Sequence, residues 1–600
     1  MEIIDLKSEK GNQYIQYALS NPPVVLAGSG VSIWQPTALP TGNEFASHLY
    51  DLIFPESFFE PEMKPLVEAY FKGNKKNISG LPFEVLFEGC PSKEKVQSTF
   101  KHVFSEKQFN PVHKAIAEHF LKGGFSSVIT TNYDLCLDDL FGVLNSAHDI
   151  TRVITQEDIA PEKMEMIYFK IHGSADDIRG ETLVFALSQE SRLPEWKRAL
   201  LYRIFEQHPF LLIIGYSGSD FEICPEFSSM PIEHIFWNIR GDEPSLNAKR
   251  LSQYKTIHFL KGDMRDLLTA ITGNTVCAER EKSHHLNSKI EFQFTEHELM
   301  QWGAFLLYKM GFLLPALQIC THLEDHRMTA ADKINVLRLK ARLLFHLGKY
   351  KKAGKLYSSL AEESRGVNSI LQAESLMDAG SAYRCYGNLS ISSQYLTMAG
   401  EIVKTIEGKE RERLLSKLHL CQAGLLLFDY QFTRIKEFFT RTRHESTEIK
   451  EKIRSNLCRT CEYAVECGSW FDFQEAALWA QKMGIAPSEL TKKMDYPPPP
   501  PPREGYKHLT SHISRMIEAR DTLDDKNLLS PEEERELNEY LQFCKMTGNN
   551  AEAWKLLLVK IKRCRLDRNT VCDIIDFFRF FFSCEYNLFF RILYPLSQLI

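Results

Sequence analysis

The sequence predicts an α/β domain built on a doubly wound parallel sheet, followed by an all-α region of helical repeats. Up to about position 270, short apolar runs alternate with helical patterns, which is typical of strands and crossover helices in a parallel sheet. Beyond about position 290 the strand-like runs cease and long amphipathic patterns follow. A glycine-containing phrase then recurs, starting at positions 311, 348 and 387, which indicates repeats.

Composition limits the protein classes. A chain of 600 residues with 44% apolar content has material for about two to four globular domains. The formal net charge of −6 provides no positive field to attract nucleic acid or an anionic membrane. The first residues lack the basic and apolar segments of a secretory signal, and 14 scattered cysteines indicate reduced thiols. We expect a cytoplasmic protein that binds neither membranes nor nucleic acid.

Six apolar runs predict the strands of the sheet: residues 23–27, 125–130, 167–171, 210–214, 234–237 and 256–259. Strands covered by helices on both faces are nearly continuously apolar, and the segments LLIIG and SSVIT fit this pattern. Ligands are then expected at the carboxyl ends of these strands.

The recurring phrase of the C-terminal half combines a glycine, a bulky residue and a small residue. Its clearest copies have Gly311 with Ala316, Gly348 with Ala353, and Gly387 with Ser392, and weaker ones start at Gly468 and Gly548. Glycine permits a tight turn between helices, and the small residue allows close packing of the second helix. The segment LFHLGKYKKAGKLYSSLAE resembles a tetratricopeptide repeat. The alternative is an irregular helical bundle with chance glycines.

Two predicted strands end in glycine-rich turns. In VVLAGSGVS, Gly28, Ser29 and Gly30 would let backbone amides approach a pyrophosphate, with the N-terminus of the next helix supplying further amides. In LLIIGYSGSD, Gly215 and Ser217 offer small groups to a phosphate or ribose. Such turns also occur without any ligand.

Two other predicted strands end in polar residues. In VITTNYD, Asn132 and Asp134 could bind a ribose and hold a water molecule, although such residues also cap helices. In FKIHGS, His172 follows the strand, and Gly173 would leave space for a ligand. A lone histidine is more often structural, so the interest of His172 depends on the other segments.

In this order, the four segments resemble the sirtuin-like family, which carries a GAGxS turn, an Asn-Asp motif, a strand ending in His-Gly and a Gly-x-Ser segment. TTNYD and GYS-x-x-D are closer to the NAD-hydrolysing members of bacterial anti-phage defence than to the lysine deacylases. The resemblance extends from the N-terminus to about position 270 and implies a Rossmann-like, sirtuin-type domain. One departure is Ser29, where the family usually has alanine.

The resemblance implies which residues bind and cleave NAD. Asn132 would position the attacking water or the nicotinamide ribose, and His172 would contact a ribose hydroxyl and accept a proton. The other residues implied to surround the dinucleotide are Ala27, Gly28, Ser29, Gly30, Ser32, Thr131, Asp134, Gly215 and Ser217. NAD would be the substrate, with ADP-ribose and nicotinamide as the products.

A metal is not expected. A structural zinc site needs four nitrogen or sulfur ligands, usually in cysteine pairs, whereas the segment 1–275 contains only Cys90, Cys136 and Cys224, far apart in sequence. The Cys458–Cys461 pair has no matching second pair, which favours a place in a helical core.

We therefore predict five segments. These are a sirtuin-like NAD-hydrolase domain at 1–275, a linker at 276–292, tetratricopeptide-like repeats at 293–490, a proline-rich linker at 491–510 and a C-terminal helical region at 511–600. The six consecutive prolines at 497–502 cannot be helical; a docking site for a proline-reading domain is the alternative to a stiff spacer.

The resemblance also implies regulation, because an unrestrained NAD hydrolase would poison its own cell. The helical repeats would bind a protein activator or partner subunit, or drive homo-oligomerisation, in abortive-infection defence against phage. One alternative is a protein deacylase or ADP-ribosyltransferase on the same fold. Another is a non-catalytic scaffold that senses NAD or ADP-ribose.

Overall fold

The computed structural model describes residues 2–54, 83–279 and 293–485 with short gaps, together with isolated positions elsewhere. The gaps are 106–107, 145–149, 160–165, 178–179, 187–192, 219, 221–222, 325, 327, 441–444 and 468, and the isolated positions lie within 64–79 and 490–541. The described chain forms two compact units: the first contains residues 2–54 and the described residues of 83–295, and the second contains the described positions within 64–79 and those from Glu296 onward.

The first unit contains an eight-stranded sheet in which every neighbouring pair of strands is parallel. Its strands are β1 (Ile3–Asp5), β2 (Val24–Ala27), β5 (Ser127–Thr130), β6 (Thr151–Val153), β7 (Ile167–Lys170), β8 (Phe210–Ile214), β9 (His234–Ile239) and β10 (Thr256–Lys261). Their order is β1-β10-β9-β8-β2-β5-β7-β6. After β2 the chain therefore adds β5, β6 and β7 on one side of that strand and then β8, β9 and β10 on the other, as in doubly wound sheets.

The described part of the first unit also contains helices, some of which cover the two faces of the sheet. They are α1 (Glu9–Leu19), α2 (Gly42–Ile53), α3 (Phe83–Glu88), α4 (Lys93–Phe104), α5 (Pro111–Leu121), α6 (Cys136–Leu144), α7 (Glu195–Gln207), α8 (Ile223–Glu226), α9 (Leu246–Leu251) and α10 (Met264–Thr272). One apolar core contains residues of α1, α5, α6 and α10, and the other contains residues of α7, α8 and α9. Val25 of β2 belongs to the first core and Leu26 to the second, because successive side chains of a strand point to opposite faces.

The predicted doubly wound parallel sheet is confirmed, and all six predicted strands are present to within two residues at each end. Two edge strands were not predicted, Ile3–Asp5 and Thr151–Val153. Each has three residues, too few for a recognisable apolar run. A separate antiparallel pair, β3 (Gly73–Asn74) and β4 (Ile78–Ser79), is also present.

From Glu296 onward, the described part of the second unit is helical. Its helices are α11 (Glu296–Lys309), α12 (Leu313–Glu324), α13 (Ala330–His346), α14 (Tyr350–Glu363), α15 (Ser369–Tyr386), α16 (Leu389–Val403), α17 (Gly408–Thr440), α18 (Glu445–Cys467) and α19 (Trp470–Lys482). Each helix packs against the next along the chain. The predicted array of helix pairs, similar to tetratricopeptide repeats, is thus confirmed.

The glycines of the recurring phrase lie at the turns within these pairs. Gly311, Gly348 and Gly387 have φ angles of 85°, 74° and 91°, a backbone region that residues with a Cβ rarely adopt. The small residues that follow, Ala316, Ala353 and Ser392, are completely buried. The sequence pattern therefore identified both the turn and the contact that follows it.

A carboxylate joins three helices of the second unit. Glu374 of α15 accepts hydrogen bonds from Arg338 of α13 and from Arg413 of α17. Burial opposes ionisation of Glu374, yet the charges of Lys417, Arg338 and Arg413 lower its pKa to about 2. Alternate helices, α13, α15 and α17, are thus connected by charge as well as by apolar packing.

Some predictions concern residues outside the described part. These are the phrases starting at Gly468 and Gly548, the proline run at 497–502 and nearly all of the C-terminal region at 511–600. Among the described helices, none combines the length and apolar character needed to cross a membrane.

Candidate active site

The four motif segments follow strands that are aligned in one register. Ile214 of β8 pairs with Ala27 of β2, Ala27 pairs with Thr130 of β5, and Thr130 pairs with Lys170 of β7. Each of these residues is the last of its strand. Because the strands are parallel, the segments that follow all emerge at the same carboxyl edge of the sheet.

The two glycine-rich turns pack directly against each other. A Cβ atom on Gly28 would lie 2.6 Å from the Gly215 oxygen, and one on Gly30 would lie 2.8 Å from the Gly215 Cα. Gly215 itself has a φ of 66°. The N–H groups of Gly28 and Gly30 donate to the carbonyls of Ile214 and Gly215, at 3.0 and 2.9 Å. Contact between the turns thus accounts for the three glycines, and phosphate binding by them remains a prediction.

The helix expected directly after the first glycine turn does not begin there. Residues Ser29–Val31 form one turn of 3-10 helix, and α2 begins only at Gly42 after the N-cap Thr41. The N–H groups of Gly28 and Gly30 bond β8 and the turn that follows it, so they do not enter an α-helix. Ser29 is exposed on this turn.

The second glycine turn is closed by a buried carboxylate. Asp220 accepts hydrogen bonds from the Tyr216 hydroxyl and from the N–H groups of Ile223 and Cys224. Burial raises the pKa of Asp220. Ser217, which the sequence predicted to contact a ligand, lies between Tyr216 and Asp220 in the chain and is exposed.

The Ser32 hydroxyl connects three polar side chains near the carboxyl edge of the sheet. It donates to Asp134 Oδ2 at 2.8 Å and accepts from the amide Nδ2 of Asn132 at 3.0 Å. Its third neighbour is His113 Nε2, also at 3.0 Å. Ser32, Asp134 and His113 are each at most 5% exposed. Three sequence-predicted residues, Ser32, Asn132 and Asp134, are thus brought together.

Asn132 retains an unused acceptor. Its Oδ1 atom is buried and has no hydrogen-bond partner among the described residues. Its backbone N–H donates to Thr130 Oγ1 at 3.1 Å. The preceding residue, Thr131, which the sequence also predicted for the site, donates its N–H to Ala27 O at 3.2 Å. Because a buried polar atom without a partner costs roughly 1–3 kcal/mol, Oδ1 is a natural position for a ligand or water to donate a hydrogen bond.

His113 and Asn110 are site residues that the sequence analysis missed. Asn110 caps α5 by accepting from the N–H groups of Val112 and His113, and its Nδ2 donates to Val31 O at 2.9 Å. Burial lowers the pKa of His113 to about 4, although Asp134 partly opposes this. An Asn-Pro start of a helix was recognisable in the sequence, but the contact between its third residue and Ser32 was not.

His172 lies two residues beyond β7, at the position that Asn132 occupies beyond β5. It is 6% exposed, and its ring stacks on that of Tyr133 with centroids 6.5 Å apart. Burial, followed by the nearby charge of Lys197, lowers the pKa of His172 to about 3. The imidazole is therefore neutral near pH 7.

Gly173 serves a different purpose from the one expected. A Cβ atom at this position would lie 2.1 Å from the Thr182 oxygen, and φ is 91°. The neighbouring Val184 N–H donates to His172 O at 3.0 Å, and the Tyr133 hydroxyl donates to Val184 O. The space next to Gly173 is thus filled by the chain around Thr182, where a ligand was expected.

Aromatic side chains of α2 and α4 form a group that packs against Tyr133. Phe100 and Phe104 of α4 have ring centroids 5.5 and 5.4 Å from that of Tyr133, and Phe45 of α2 lies 5.6 Å from Phe100. These helices lie between β2 and β5 in sequence. They form an apolar wall beside the segment that carries Asn132.

Buried charges lie under the same segment. Lys170 is completely buried and donates to Asp138 Oδ2 at 2.8 Å and to the carbonyl of Asp134. Arg152 also pairs with Asp138, and with Asp176 at 2.9 Å. Lys170 therefore links the Asp138 side chain to the backbone at Asp134.

One group of possible metal ligands occurs in the described part of the chain. Ligand atoms of His113, Asp134 and Cys136 lie within 4.8 Å of one another. His113 and Asp134 already bond Ser32, and burial raises the pKa of the Cys136 thiol far above its usual value, which disfavours the thiolate that a metal needs. Protein contacts thus account for the group without an ion.

A comparison with known protein families supports part of the predicted sirtuin-like domain. Residues 126–229 match the profile of the SIR2-like domain family, and the match includes the segments of Asn132, His172 and Gly215. A comparison with curated proteins finds no match.

Solved structures add no functional information. One similar chain is a Signal Transduction ATPase with Numerous Domains (STAND) protein with a tetratricopeptide repeat sensor from Pyrococcus horikoshii. It is 13% identical, and the alignment covers 99% of this chain and 95% of that one, with a TM-score of 0.20. The family match over residues 126–229, and not the structural likeness, indicates a SIR2-like domain and NAD-related activity.

Proposed function

We propose that the first unit hydrolyses NAD to ADP-ribose and nicotinamide. The observation that carries the proposal is the buried Oδ1 atom of Asn132, which has no hydrogen-bond partner among the described residues and lies at the edge where the four motif segments emerge. A SIR2-like domain that includes this residue supports NAD as the substrate.

The chemistry requires orientation more than a strong nucleophile. Nicotinamide leaves as a neutral group from a cationic substrate, and the ribose carbon gains positive charge in the transition state. One water molecule supplies the new C–O bond and loses a proton to the solution. A fixed hydrogen-bond acceptor that aligns this water lowers the barrier by positioning.

Asn132 and His172 take different parts in this reaction. Asn132 Oδ1 accepts a hydrogen bond from the water or from a hydroxyl of the nicotinamide ribose. His172, held neutral by a pKa of about 3, is suited to accept a hydrogen bond from a ribose hydroxyl. It is a poor store for a proton at neutral pH.

The glycine turns and their neighbours would hold the rest of the dinucleotide. Ser29 and Ser217 are exposed on adjacent turns, which is consistent with contacts to a phosphate or ribose. Ser32 and Asp134 would affect the reaction indirectly, by holding the Asn132 side chain in place.

The decisive experiment is NAD turnover by the purified full-length chain. Nicotinamide release is followed for the wild type, Asn132→Ala and His172→Ala, with the exposed Asn274 changed to alanine as a control. We expect a loss of about 10²-fold for each site variant, because each residue acts by positioning, and none for Asn274→Ala. Wild-type turnover in both site variants, at equal folded fraction, would falsify the assignment.

The helical unit is proposed to regulate this activity. Stacked helix pairs offer an extended surface for a protein activator, a partner subunit or a second copy of this chain, and NAD depletion would then stop an infected cell. The test measures cellular NAD in cells that express the full chain, before and during phage infection. A fall in NAD only on infection, abolished in Asn132→Ala, is expected. Constant NAD throughout infection would contradict the defence role.

A further inference from the structure

We propose that His113 is a positioning residue for NAD hydrolysis: through the Ser32 hydroxyl it fixes the Asn132 amide with Oδ1 toward the ligand. The inference rests on the proposed function and adds a residue that contacts neither substrate nor water. It is argued from the direction of each hydrogen bond in the chain Asn110–His113–Ser32–Asn132.

The first bond determines where the His113 ring carries its proton. The backbone N–H of Asn110 donates to His113 Nδ1 at 3.3 Å, so Nδ1 is an acceptor and carries no hydrogen. A neutral imidazole has one N–H, which must then be on Nε2. This N–H points to the Ser32 oxygen, 3.0 Å away.

The second step determines the role of the Ser32 hydroxyl. It has one hydrogen and two acceptor positions. The hydroxyl donates its hydrogen to Asp134 Oδ2 at 2.8 Å. The two acceptor positions are filled by the N–H groups of His113 and Asn132. All three positions of the hydroxyl are therefore occupied.

The third step fixes the orientation of the catalytic amide. If the Asn132 amide were flipped so that its oxygen and nitrogen exchanged places, the oxygen would face a Ser32 hydroxyl whose hydrogen is already given to a carboxylate. Two acceptors would then face each other, and the buried Nδ2 would need a new partner. Asn132 therefore directs Nδ2 to Ser32 and leaves its buried Oδ1 without a hydrogen-bond partner among the described residues.

The anchoring of His113 makes this arrangement rigid. Asn110 caps the first turn of α5 and also donates to Val31 O on the turn that carries Ser32. His113 is completely buried, and Asn110 is 1% exposed. The helix, the glycine turn of β2 and the segment after β5 are thus connected by directed bonds.

The charge state of the ring supports the same scheme. Burial lowers the pKa of His113 to about 4, so the ring is neutral where the chain would act. A protonated ring would direct a second N–H at the Asn110 N–H and disrupt the order of the bonds. The neutral ring is therefore the form that holds Ser32.

The test compares His113→Phe with His113→Gln in the full-length protein. Glutamine can still accept from the Asn110 N–H and donate to Ser32, whereas phenylalanine can do neither. We expect kcat to fall about 10²-fold in His113→Phe with little change in KM, and to be largely retained in His113→Gln. Lys114→Gln, an exposed change on the same helix, is the control and should match the wild type.

Crystal structures of these variants separate failure of the inference from failure of the proposed function. We expect the Asn132 side chain in one orientation in the wild type and His113→Gln, and in several in His113→Phe. A single, unchanged Asn132 orientation in His113→Phe would overturn the inference, whether or not NAD is hydrolysed. So would wild-type kcat in His113→Phe. If the wild type releases no nicotinamide, the proposed function fails, and the crystal structures alone decide the positioning.

Discussion

The amide nitrogen of Asn132 lies 3.0 Å from the hydroxyl oxygen of Ser32, a residue 100 positions earlier in the chain. This contact joins the segment after β5 to the turn after β2. It leaves the oxygen of the same amide buried and unused by the described protein. The reactivity proposed for Asn132 therefore depends on a neighbour that need not touch the substrate.

Ser32→Ala should destabilise the first unit as well as reduce NAD turnover. The change removes the donor to Asp134 and the acceptor for two N–H groups; the bonds to Asp134 and His113 are buried and the bond to Asn132 is partly buried. We expect unfolding to become easier by about 1–3 kcal/mol, measured as a lower denaturant midpoint. Ser29→Ala, at an exposed position three residues earlier, is the matched control. Equal midpoints for the two variants would contradict the role given to the hydroxyl.

Acid should weaken the first unit through its buried histidines. The folded-state pKa values of His113 and His172 are about 4 and about 3, below the ordinary value of 6.5. The unfolded chain therefore binds protons first, so this stability is complete above pH 6.5 and is lost as pH falls toward 4. Each histidine contributes a slope of up to roughly 1.4 kcal/mol per pH unit.

Denaturant unfolding at several pH values between 7 and 4.5 measures this slope. His172→Gln should show a shallower loss of stability than the wild type, because one buried imidazole is gone. His326→Gln, a change at an exposed position, should retain the wild-type slope. Identical slopes in all three proteins would show that His172 is not buried as a neutral group.

Gly28→Ala should disturb the two glycine turns although its backbone angles suit alanine. The φ of Gly28 is −102°, so only the contact at 2.6 Å with the Gly215 oxygen and Tyr216 Cα opposes a Cβ. We expect a loss of about 1–3 kcal/mol. Gly142→Ala is the control, because its Cβ would meet nothing within 4 Å and alanine favours helix α6 by about 0.5–1 kcal/mol. The two changes should have opposite signs in unfolding experiments.

Glu374→Gln should loosen the helical unit. The carboxylate bonds Arg338 and Arg413, and its loss leaves both guanidinium groups with a weaker acceptor, at a cost of about 1–3 kcal/mol after allowing for their partial exposure. Because the folded pKa of about 2 lies below the ordinary value of 4.5, this contribution is present above pH 4.5 and is lost as pH falls toward 2.

Hydrogen exchange localises the effect of Glu374→Gln. Faster exchange is expected in α13, α15 and α17, which the carboxylate joins. Glu401→Gln removes the partner of an exposed pair with Lys404 and should leave exchange in these helices unchanged. Equal exchange in the two variants would mean that the three helices are held by apolar contacts alone.

Local patterns in the sequence predicted much of the fold for identifiable reasons. Long buried strands such as Phe210–Ile214 are readable because both of their faces are apolar. The turns at Gly311, Gly348 and Gly387 are readable because a positive φ favours glycine. The edge strand Thr151–Val153 has neither signal, and only its pairing with β7 defines it.

The candidate site divides in the same way. Residue types and their order after the strands indicated Asn132 and His172, because strand ends of a parallel sheet meet at one edge. The purpose of Gly173 was misjudged, since only the folded chain brings Thr182 against it. His113 was missed because its partner Ser32 is 81 residues away.

The sequence by itself determined the class of both units, the edge of the sheet where ligands would bind and the polar residues that reach it. These follow from periodicity and local backbone preference, which act over a few residues. Only the tertiary structure decided that Ser32 uses the amide nitrogen of Asn132, that the amide oxygen has no partner among the described residues, and that the His113 ring contacts Ser32. Hydrogen-bond direction depends on distant groups coming within about 3 Å of each other, a distance that packing of the whole domain sets.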